Sequence, residues 1–135
     1  MADWNASTIE EFRSNHGKVG GPFEGAPMLL LTHSGAKSGI RRTNPLMYQP
    51  HEGRVFVFAS KGGAPTHPHW FLNITANPDV TVEIGDETFE ATAIEVTGAE
   101  RDEIYDRQTE FRPQFGEYQR NNPRTIPVVE IIRKR

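Results

Sequence analysis

The sequence of 135 residues contains no cysteine, and this absence excludes disulfides and thiolate chemistry. It also lacks an apolar run near the length of about 18 residues that a membrane-spanning helix needs. The N-terminus has no basic segment followed by an apolar one, so we expect no secretory signal. Together these absences predict a soluble, cytoplasmic protein.

An excess of basic residues is missing as well, since the formal net charge is −3. General nucleic-acid binding needs a surplus of lysine and arginine over a broad face, so nucleic acid is not predicted as a partner. The length predicts one hydrophobic core. We expect an N-terminal helix and irregular arm over residues 1–27 and a single barrel domain over residues 28–135.

Carboxylates are scarce in one half of the chain. Between Glu24 and Asp79 only Glu52 is acidic, and two turns rich in glycine and lysine, Gly35–Gly39 and Ser60–Gly63, each follow an apolar segment there. Backbone N–H groups and an ammonium at a strand end can hold a small anion, and the second turn also precedes a predicted helix N-terminus. The alternative is an exposed turn whose charges are simply solvated.

Other site chemistries find little support in the sequence. The histidines His33, His51, His67 and His69 have no cysteine and no clear carboxylate beside them, so no metal is predicted. No serine lies in a nucleophile elbow, which argues against a serine hydrolase.

Apolar segments predict a mainly β protein with short helices, an α+β chain in which six strands form a small closed or split β-barrel. The alternation of Val80, Val82 and Ile84 with polar residues is typical of a half-exposed strand. Ser7-x-x-Glu10 and Thr97-x-x-Glu100 have the spacing of capping boxes, and Thr66 is a candidate N-cap. The predicted strands are 28–33, 43–48, 54–60, 80–85, 88–96 and 126–132, and the predicted helices are 8–15, 68–76 and 97–111.

Three apolar residues lie in or before the first predicted helix, namely Trp4, Ile9 and Phe12. Two interpretations stay open. These side chains dock on the core, or they contact a lipid or an apolar substrate at the mouth of a site.

Several unusual motifs occur in order between residues 28 and 132. They are Gly35-x-Lys37-Ser38-Gly39-x-x-Arg42-x-x-Pro45-Leu46, Ser60-Lys61-Gly62-Gly63-Ala64-Pro65-x-His67-Pro68-x-Trp70-x-x-Asn73, Asn77-Pro78, Tyr118-Gln119 and Arg124-x-Ile126-Pro127-Val128-Val129. This set closely resembles the deazaflavin-dependent nitroreductase family of actinobacteria. The resemblance implies a split β-barrel of the FMN-binding, flavin-reductase type that binds coenzyme F420, an 8-hydroxy-5-deazaflavin.

The resemblance also implies a cofactor groove. Lys37, Arg42 and Lys61 would neutralise the phosphodiester and glutamyl carboxylates of the cofactor. Pro45, Leu46, Met47 and the helix around Trp70 would give the ring an apolar bed. The groove residues carried over from the family are Ala36, Lys37, Ser38, Arg42, Thr43, Asn44, Pro45, Leu46, Met47, Phe58, Ala59, Ser60, Lys61, His69, Trp70, Phe71, Leu72, Asn73 and Phe115.

The activity implied is hydride transfer from reduced deazaflavin to an electron-poor small molecule such as a quinone or a nitroaromatic. Met47, Phe115 and Tyr118 would contact this acceptor, and Tyr118, or else Ser60, would supply a proton. Relatives that reduce nitroimidazoles carry tyrosine near Met47 and Phe115, so we expect a quinone to be preferred here. The alternatives are an FMN-binding oxidoreductase, a non-enzymatic deazaflavin carrier, and a structural domain that binds neither cofactor.

Overall fold

Six strands close into an antiparallel barrel in this protein, for which a computed structural model describes residues 4–20 and 25–134. The order around the barrel is β1-β2-β3-β6-β5-β4, and β4 pairs with β1 to close it. The predicted six-stranded barrel is therefore confirmed. The strands are β1 Met28–Ser34, β2 Arg41–His51, β3 Arg54–Phe58, β4 Asp79–Ile84, β5 Glu87–Val96 and β6 Val128–Arg133.

Side-chain alternation separates an apolar cluster inside the barrel from the apolar clusters on its outside. The interior cluster includes Leu29, Leu31 and Val57, together with Trp70 and Phe71 from a short helix. Their neighbours in the strands point outward, because successive side chains of a strand lie on opposite faces. Each such large side chain contributes about 1.5–3 kcal/mol on burial.

The second cluster lies on the outside of β3 and β6. Phe56 and Phe58 project there and pack with Ile104, Tyr105 and Phe115 from two later helices. The helices are α1 Trp4–Ser14, α2 His69–Ala76, α3 Gly98–Phe111 and α4 Gln114–Arg120, with a 3-10 turn at Lys61–Gly63. None of the helices within 4–20 and 25–134 is long and apolar enough to cross a membrane.

The N-terminal helix packs on the outside of β1. Phe12 is buried and forms a small cluster with Val19, Met28 and Leu30. The structure therefore confirms that Phe12 docks on the core, which was one of the two interpretations of the sequence. The side chain of Trp4 and residues 21–24 of the predicted arm lie outside the described part. The domain boundary after residue 27 stays a prediction.

Two predicted helix starts were wrong. Helix α1 begins at Trp4, so Ser7 lies inside it and is not its cap. Helix α2 has Pro68 at its N-cap, and the Thr66 hydroxyl accepts a hydrogen bond from Lys61 Nζ at 3.2 Å. Thr97 is the N-cap of α3 as predicted, although its side chain makes no capping bond.

Four strand ends differ from the prediction by two or more residues. Strand β2 begins at Arg41, because it pairs with Ser34 up to the tight turn, and it extends to His51, because it pairs with Arg54 up to the next turn. Strand β3 ends at Phe58, because the chain turns into the 3-10 helix. Strand β6 begins at Val128, because the Ile126 N–H donates to Gln119 Oε1 at 2.9 Å and proline at 127 has no N–H to give.

Candidate functional site

The turn between β1 and β2 is closed by its own hydrogen bonds. The Gly35 N–H donates to the Ile40 carbonyl at 2.9 Å, and the Ile40 N–H donates to Ser38 Oγ at 3.1 Å. A Cβ at Gly35 would lie 2.5 Å from that same Oγ, so a larger residue there would displace the Ser38 hydroxyl from this bond. Lys37 is exposed at the tip of this structure, which we call the Lys37 turn and define as residues 35–40.

A chain of uncharged groups supports the Lys37 turn from inside the barrel. The Ala36 N–H donates to Asn73 Oδ1 at 3.0 Å, Asn73 Nδ2 lies 3.0 Å from His33 Nδ1, and His33 Nε2 lies 2.7 Å from Asn44 Oδ1. Burial lowers the pKa of His33, the nearby arginines of β2 lower it further, and the bond to Asn44 opposes them. A neutral imidazole is therefore favoured.

The turn after β3, residues 60–64, is held by one arginine, and we call it the Lys61 turn. Lys61 has a φ of 50°, an uncommon left-handed conformation for a non-glycine residue. The Arg124 guanidinium directs all of its donors at the turn and its flanks. Nε donates to Ala64 O at 3.2 Å, and Nη2 donates to the same oxygen at 2.9 Å and to Ser60 O at 3.0 Å. Nη1 donates to Ala59 O at 3.1 Å and to His67 Nδ1 at 3.0 Å.

Tyr118 lies directly against the Lys61 turn. A Cβ added at Gly63 would approach Tyr118 Cδ1 to 2.8 Å, and the φ of Gly63 is 88°. Asn122 also binds the turn, donating from Nδ2 to the Gly63 carbonyl at 3.1 Å and to the Ala64 carbonyl at 2.8 Å. The phenol of α4 is thus placed beside the second lysine turn by a contact that only glycine permits.

A row of aromatic rings continues from Tyr118 along the outer cluster. The Phe115 and Tyr118 ring centroids are 5.4 Å apart, and those of Phe58 and Phe115 are 5.6 Å apart. Met47 and Tyr118 pack on this cluster from its edge. The Tyr105 hydroxyl donates to the Phe115 carbonyl at 2.6 Å, and burial, the main cause, raises the pKa of Tyr105 to about 12. Tyr105 therefore stays a neutral donor that fixes the start of α4.

Several cations around the two turns have no carboxylate partner. Lys37, Arg42 and Lys61 take part in no ion pair within the described ranges. Arg54, in contrast, pairs with Glu130 at 2.8 Å and Glu100 at 3.1 Å. The unpaired charges leave this part of the surface suited to an anionic group.

A cavity of about 360 Å³ lies beside Met47, between β2, the arm and the end of α3. Its walls include Pro27, Pro50 and the exposed Phe111, and its polar groups come from Gln49, Gln108 and Arg112. Pockets of this size and lining suit small, mainly apolar molecules.

Alternation divides the predicted groove residues of β2 between two faces. Met47 packs on the outer clusters, whereas Leu46 packs on the interior cluster. Asn44 bonds the buried His33. Thr43 and Pro45 therefore share the outer face with Met47. The side chains of Asn44 and Leu46 point inward, so only their backbone can line a groove on the outside.

That the Trp70 helix gives a ring an apolar bed stays a prediction, and the large side chains of this helix offer little exposed surface for it. Trp70 and Phe71 are only 5% and 7% exposed, because they fill the barrel interior with Ile74. His69 and Leu72 are exposed on α2, and Asn73 bonds the Lys37 turn.

Of the other predicted residues, Phe58, Phe115 and Tyr118 come together in the outer cluster beside the Lys61 turn. Lys37 and Ser38 lie on the first turn, Ser60 and Lys61 on the second, and Tyr118 on α4. Phe58 and Phe115 are buried in the outer cluster, Ala59 packs in the interior cluster, and Arg42 is exposed at the start of β2.

Sequence reasoning missed the residues that hold the turns in place. His33 was weighed only as a metal ligand, and no group of three or more candidate ligands occurs in the part of the chain that the structure describes. Arg124 was part of a motif but was assigned no role, and Asn122 was not identified as a candidate residue. The signal for Arg124 was its position in the motif that ends in Ile126-Pro127.

Comparisons with known proteins agree on one family. The family model of the F420H(2)-dependent quinone reductases matches residues 4–132. The chain is 36% identical over 129 residues to the F420H(2)-dependent quinone reductase Rv1261c of Mycobacterium tuberculosis, covering 91% of this chain and 85% of that protein.

Two solved structures share the fold. One is the F420-H2 dependent reductase FDR-A, with 42% identity, a TM-score of 0.71 and coverage of 78% of this chain and 93% of that one. The other, described as a domain-swapped dimer, has 37% identity, a TM-score of 0.72 and coverage of 96% and 97%. They confirm the predicted split-barrel fold, and the family supports F420 as the cofactor rather than FMN. The chain therefore belongs to the F420H(2)-dependent quinone reductase family of oxidoreductases.

Proposed function

We propose that this protein transfers hydride from reduced F420 to a quinone and that it does so on the outer face of β2 and β3. The observation that carries the proposal is the contact of Tyr118 with the Lys61 turn at the edge of the outer apolar cluster, on which Met47 also packs. Family membership supports the cofactor and the quinone type of acceptor.

The residues present fit the two ends of the cofactor. Lys37, Arg42 and Lys61 are unpaired within the described part, so they are free to form charge-assisted bonds with phosphodiester and carboxylate oxygens. Pro45 and Met47, beside the rings of the outer cluster, offer an apolar surface for the deazaflavin. We assign the anionic tail to the two turns and the ring to that surface.

Bound reduced F420 supplies a hydride from C5 of its ring. The protein then has to orient the acceptor, exclude water and deliver a proton to the acceptor oxygen. Tyr118 is our proton donor, because its ring rests on Gly63 beside the Lys61 turn. The Ser60 hydroxyl, at the start of the same turn, is the second candidate for that bond.

We assign the acceptor to the apolar surface between Met47 and Tyr118, at the edge of the outer cluster and next to the cavity beside Met47. The apolar groups there suit a planar quinone, whereas a polar nitro-ether would bury groups that find few partners, at a cost of about 1–3 kcal/mol for each unpaired group. We therefore propose that nitroimidazoles are poorer substrates than quinones.

A fluorescence titration tests the cofactor assignment. We expect wild type to bind F420 and to bind FMN much more weakly. Lys37→Ala should weaken F420 binding by about 1.5–3 kcal/mol at low salt, because a charge-assisted hydrogen bond is lost. The control is Lys18→Ala, which removes an exposed lysine in the segment after α1, beside Val19. Equal affinity of both variants would remove the Lys37 turn from the site.

Two alternatives predict other results. An FMN enzyme would copurify with a yellow cofactor, and a deazaflavin carrier would bind reduced F420 but turn over no quinone. The cytoplasmic location stays a prediction, and so does a nitroaromatic acceptor. Contact of the N-terminal apolar side chains with a lipid, which would be a peripheral membrane contact, also stays a prediction.

A further inference from the structure

The hydrogen bonds beneath the Lys37 turn have only one consistent direction. The Ala36 backbone N–H can only donate, so the Asn73 atom 3.0 Å away is its carbonyl oxygen. The Asn73 NH2 group must then face His33 and donate to Nδ1 at 3.0 Å. Since Nδ1 accepts, the ring proton is on Nε2, which donates to Asn44 Oδ1 at 2.7 Å.

This chain joins three elements of the barrel beneath one loop. His33 is on β1 and only 1% exposed, Asn44 is on β2 and Asn73 is on α2. Every member is neutral. A carboxylate at position 73 would bind the Ala36 N–H equally well, but it would place a negative charge near Lys37 and weaken anion binding.

We infer that His33 is a positioning residue for the anionic end of the cofactor, acting through Asn73 to fix the Ala36 amide and the Lys37 turn. The inference rests on the proposed binding of the tail at that turn. His33 is too deeply buried to contact the ligand, so it contributes by keeping the turn in one conformation before binding.

A histidine suits this role because its ring accepts on one side and donates on the other. With a proton on Nδ1, two hydrogen-bond donors, the Nδ1–H group and the Asn73 NH2 group, would face each other. Asn73 would have to rotate, and its NH2 would then face the Ala36 N–H, so the support of the turn would be lost. Arg41 and Arg42 on β2 disfavour that proton by their charge, and the other groups that contact the ring, Asn44 and Asn73, are neutral.

The test compares two ligands. One is intact F420, and the other is its fragment ending at the ribityl chain, which lacks the phosphodiester and the glutamyl groups. Fluorescence titration should show His33→Leu weakening F420 binding about tenfold, the effect of one lost hydrogen bond. In the same variant, the affinity for the fragment should fall by less than about twofold.

His33→Gln should restore most of the F420 affinity, because its amide also offers an acceptor and a donor. Asn73→Ala, at a half-buried helix position, should repeat the selective loss even where His33→Leu folds poorly. The matched control is Val129→Ala, which truncates a side chain that is 0% exposed in the interior cluster, on β6 and away from the Lys37 turn. It should leave the ratio of the two affinities unchanged.

Equal losses for F420 and the fragment in His33→Leu and Asn73→Ala would overturn the inference, because they indicate a general structural role. Unchanged F420 affinity in both variants would overturn it as well. Failure of wild type to bind either ligand would instead contradict the proposed function.

Discussion

The two lysine turns look alike from outside but are supported in different ways. The Lys37 turn rests on a chain of neutral groups that ends at the buried His33. The Lys61 turn rests on a cation, Arg124, whose donors go to carbonyl oxygens and to His67. Neither support uses a carboxylate in the described part.

The difference teaches how a cationic site can be kept rigid and yet remain cationic. A carboxylate would hold either turn firmly, but it would also neutralise the lysine that the site needs. Amides, carbonyls and a neutral imidazole provide the hydrogen bonds without the charge. The cationic support, Arg124, adds to the positive potential instead.

The largest expected effect comes from breaking the Lys61 turn. Arg124→Met should cost about 2–4 kcal/mol of stability, because carbonyls of the turn are left without donors. Reduction of a quinone with F420 should fall by about 100-fold or more as Ser60 and Lys61 lose their positions.

The control for this variant is Arg120→Met, at an exposed position of α4. Chemical denaturation and steady-state kinetics should show little change there. Full activity in Arg124→Met would mean that the Lys61 turn needs no support from outside.

A smaller effect is expected from displacing Tyr118. Gly63→Ala adds a Cβ that would lie 2.8 Å from the Tyr118 ring. We expect kcat for a quinone to fall about tenfold, because a displacement near 1 Å of the proton donor costs at least that much.

Gly53→Ala separates this contact from backbone strain. Gly53 has a φ of 79°, close to the 88° of Gly63, but its added Cβ would meet nothing within 4 Å. Both variants should lose similar stability, and only Gly63→Ala should lose activity. Equal kcat values for the two would remove Tyr118 from the reaction.

The smallest expected effect is a pH dependence of the free energy of unfolding that is caused by His33, beneath the Lys37 turn. The pKa of His33 is lowered from its ordinary value of 6.5 in the folded protein, chiefly by burial. Below pH 6.5 the unfolded chain therefore binds more protons at this position, so the free energy of unfolding decreases as the pH falls, by at most about 1.4 kcal/mol per pH unit. The contribution is complete above pH 6.5.

Urea denaturation between pH 5 and 8, taken as a range about the ordinary histidine pKa, checks this prediction. His33→Gln should have a shallower slope on the acidic side than wild type, with the other histidines unchanged as an internal reference. Identical slopes would show that His33 does not titrate differently in the folded and unfolded states.

Much of the fold was predictable because its signals are local. The alternation of Val80, Val82 and Ile84 identified a strand, and the apolar Val55–Phe58 segment identified a buried one. The two lysine turns could be located from glycine and charge alone. These patterns depend on neighbours in sequence, which is what a sequence shows directly.

The side of a strand or helix on which each site residue lies was less predictable. A motif does not say which side of β2 faces out, so Leu46 was grouped with Met47 although the two point in opposite directions. Trp70 was assigned to a ligand although it fills the barrel. The supports of the turns, Asn73 and Arg124, lie 37 and about 60 positions from their partners along the chain, so only the closed barrel reveals them.

The central claim is hydride transfer to a quinone beside Tyr118. The most direct measurement follows the steady-state oxidation of saturating reduced F420 spectroscopically, with menadione and a bicyclic nitroimidazole in parallel. We predict faster turnover of menadione and a loss of about 100-fold in kcat for Tyr118→Phe. Faster turnover of the nitroimidazole would contradict the acceptor, and full menadione turnover by Tyr118→Phe would contradict the proton donor.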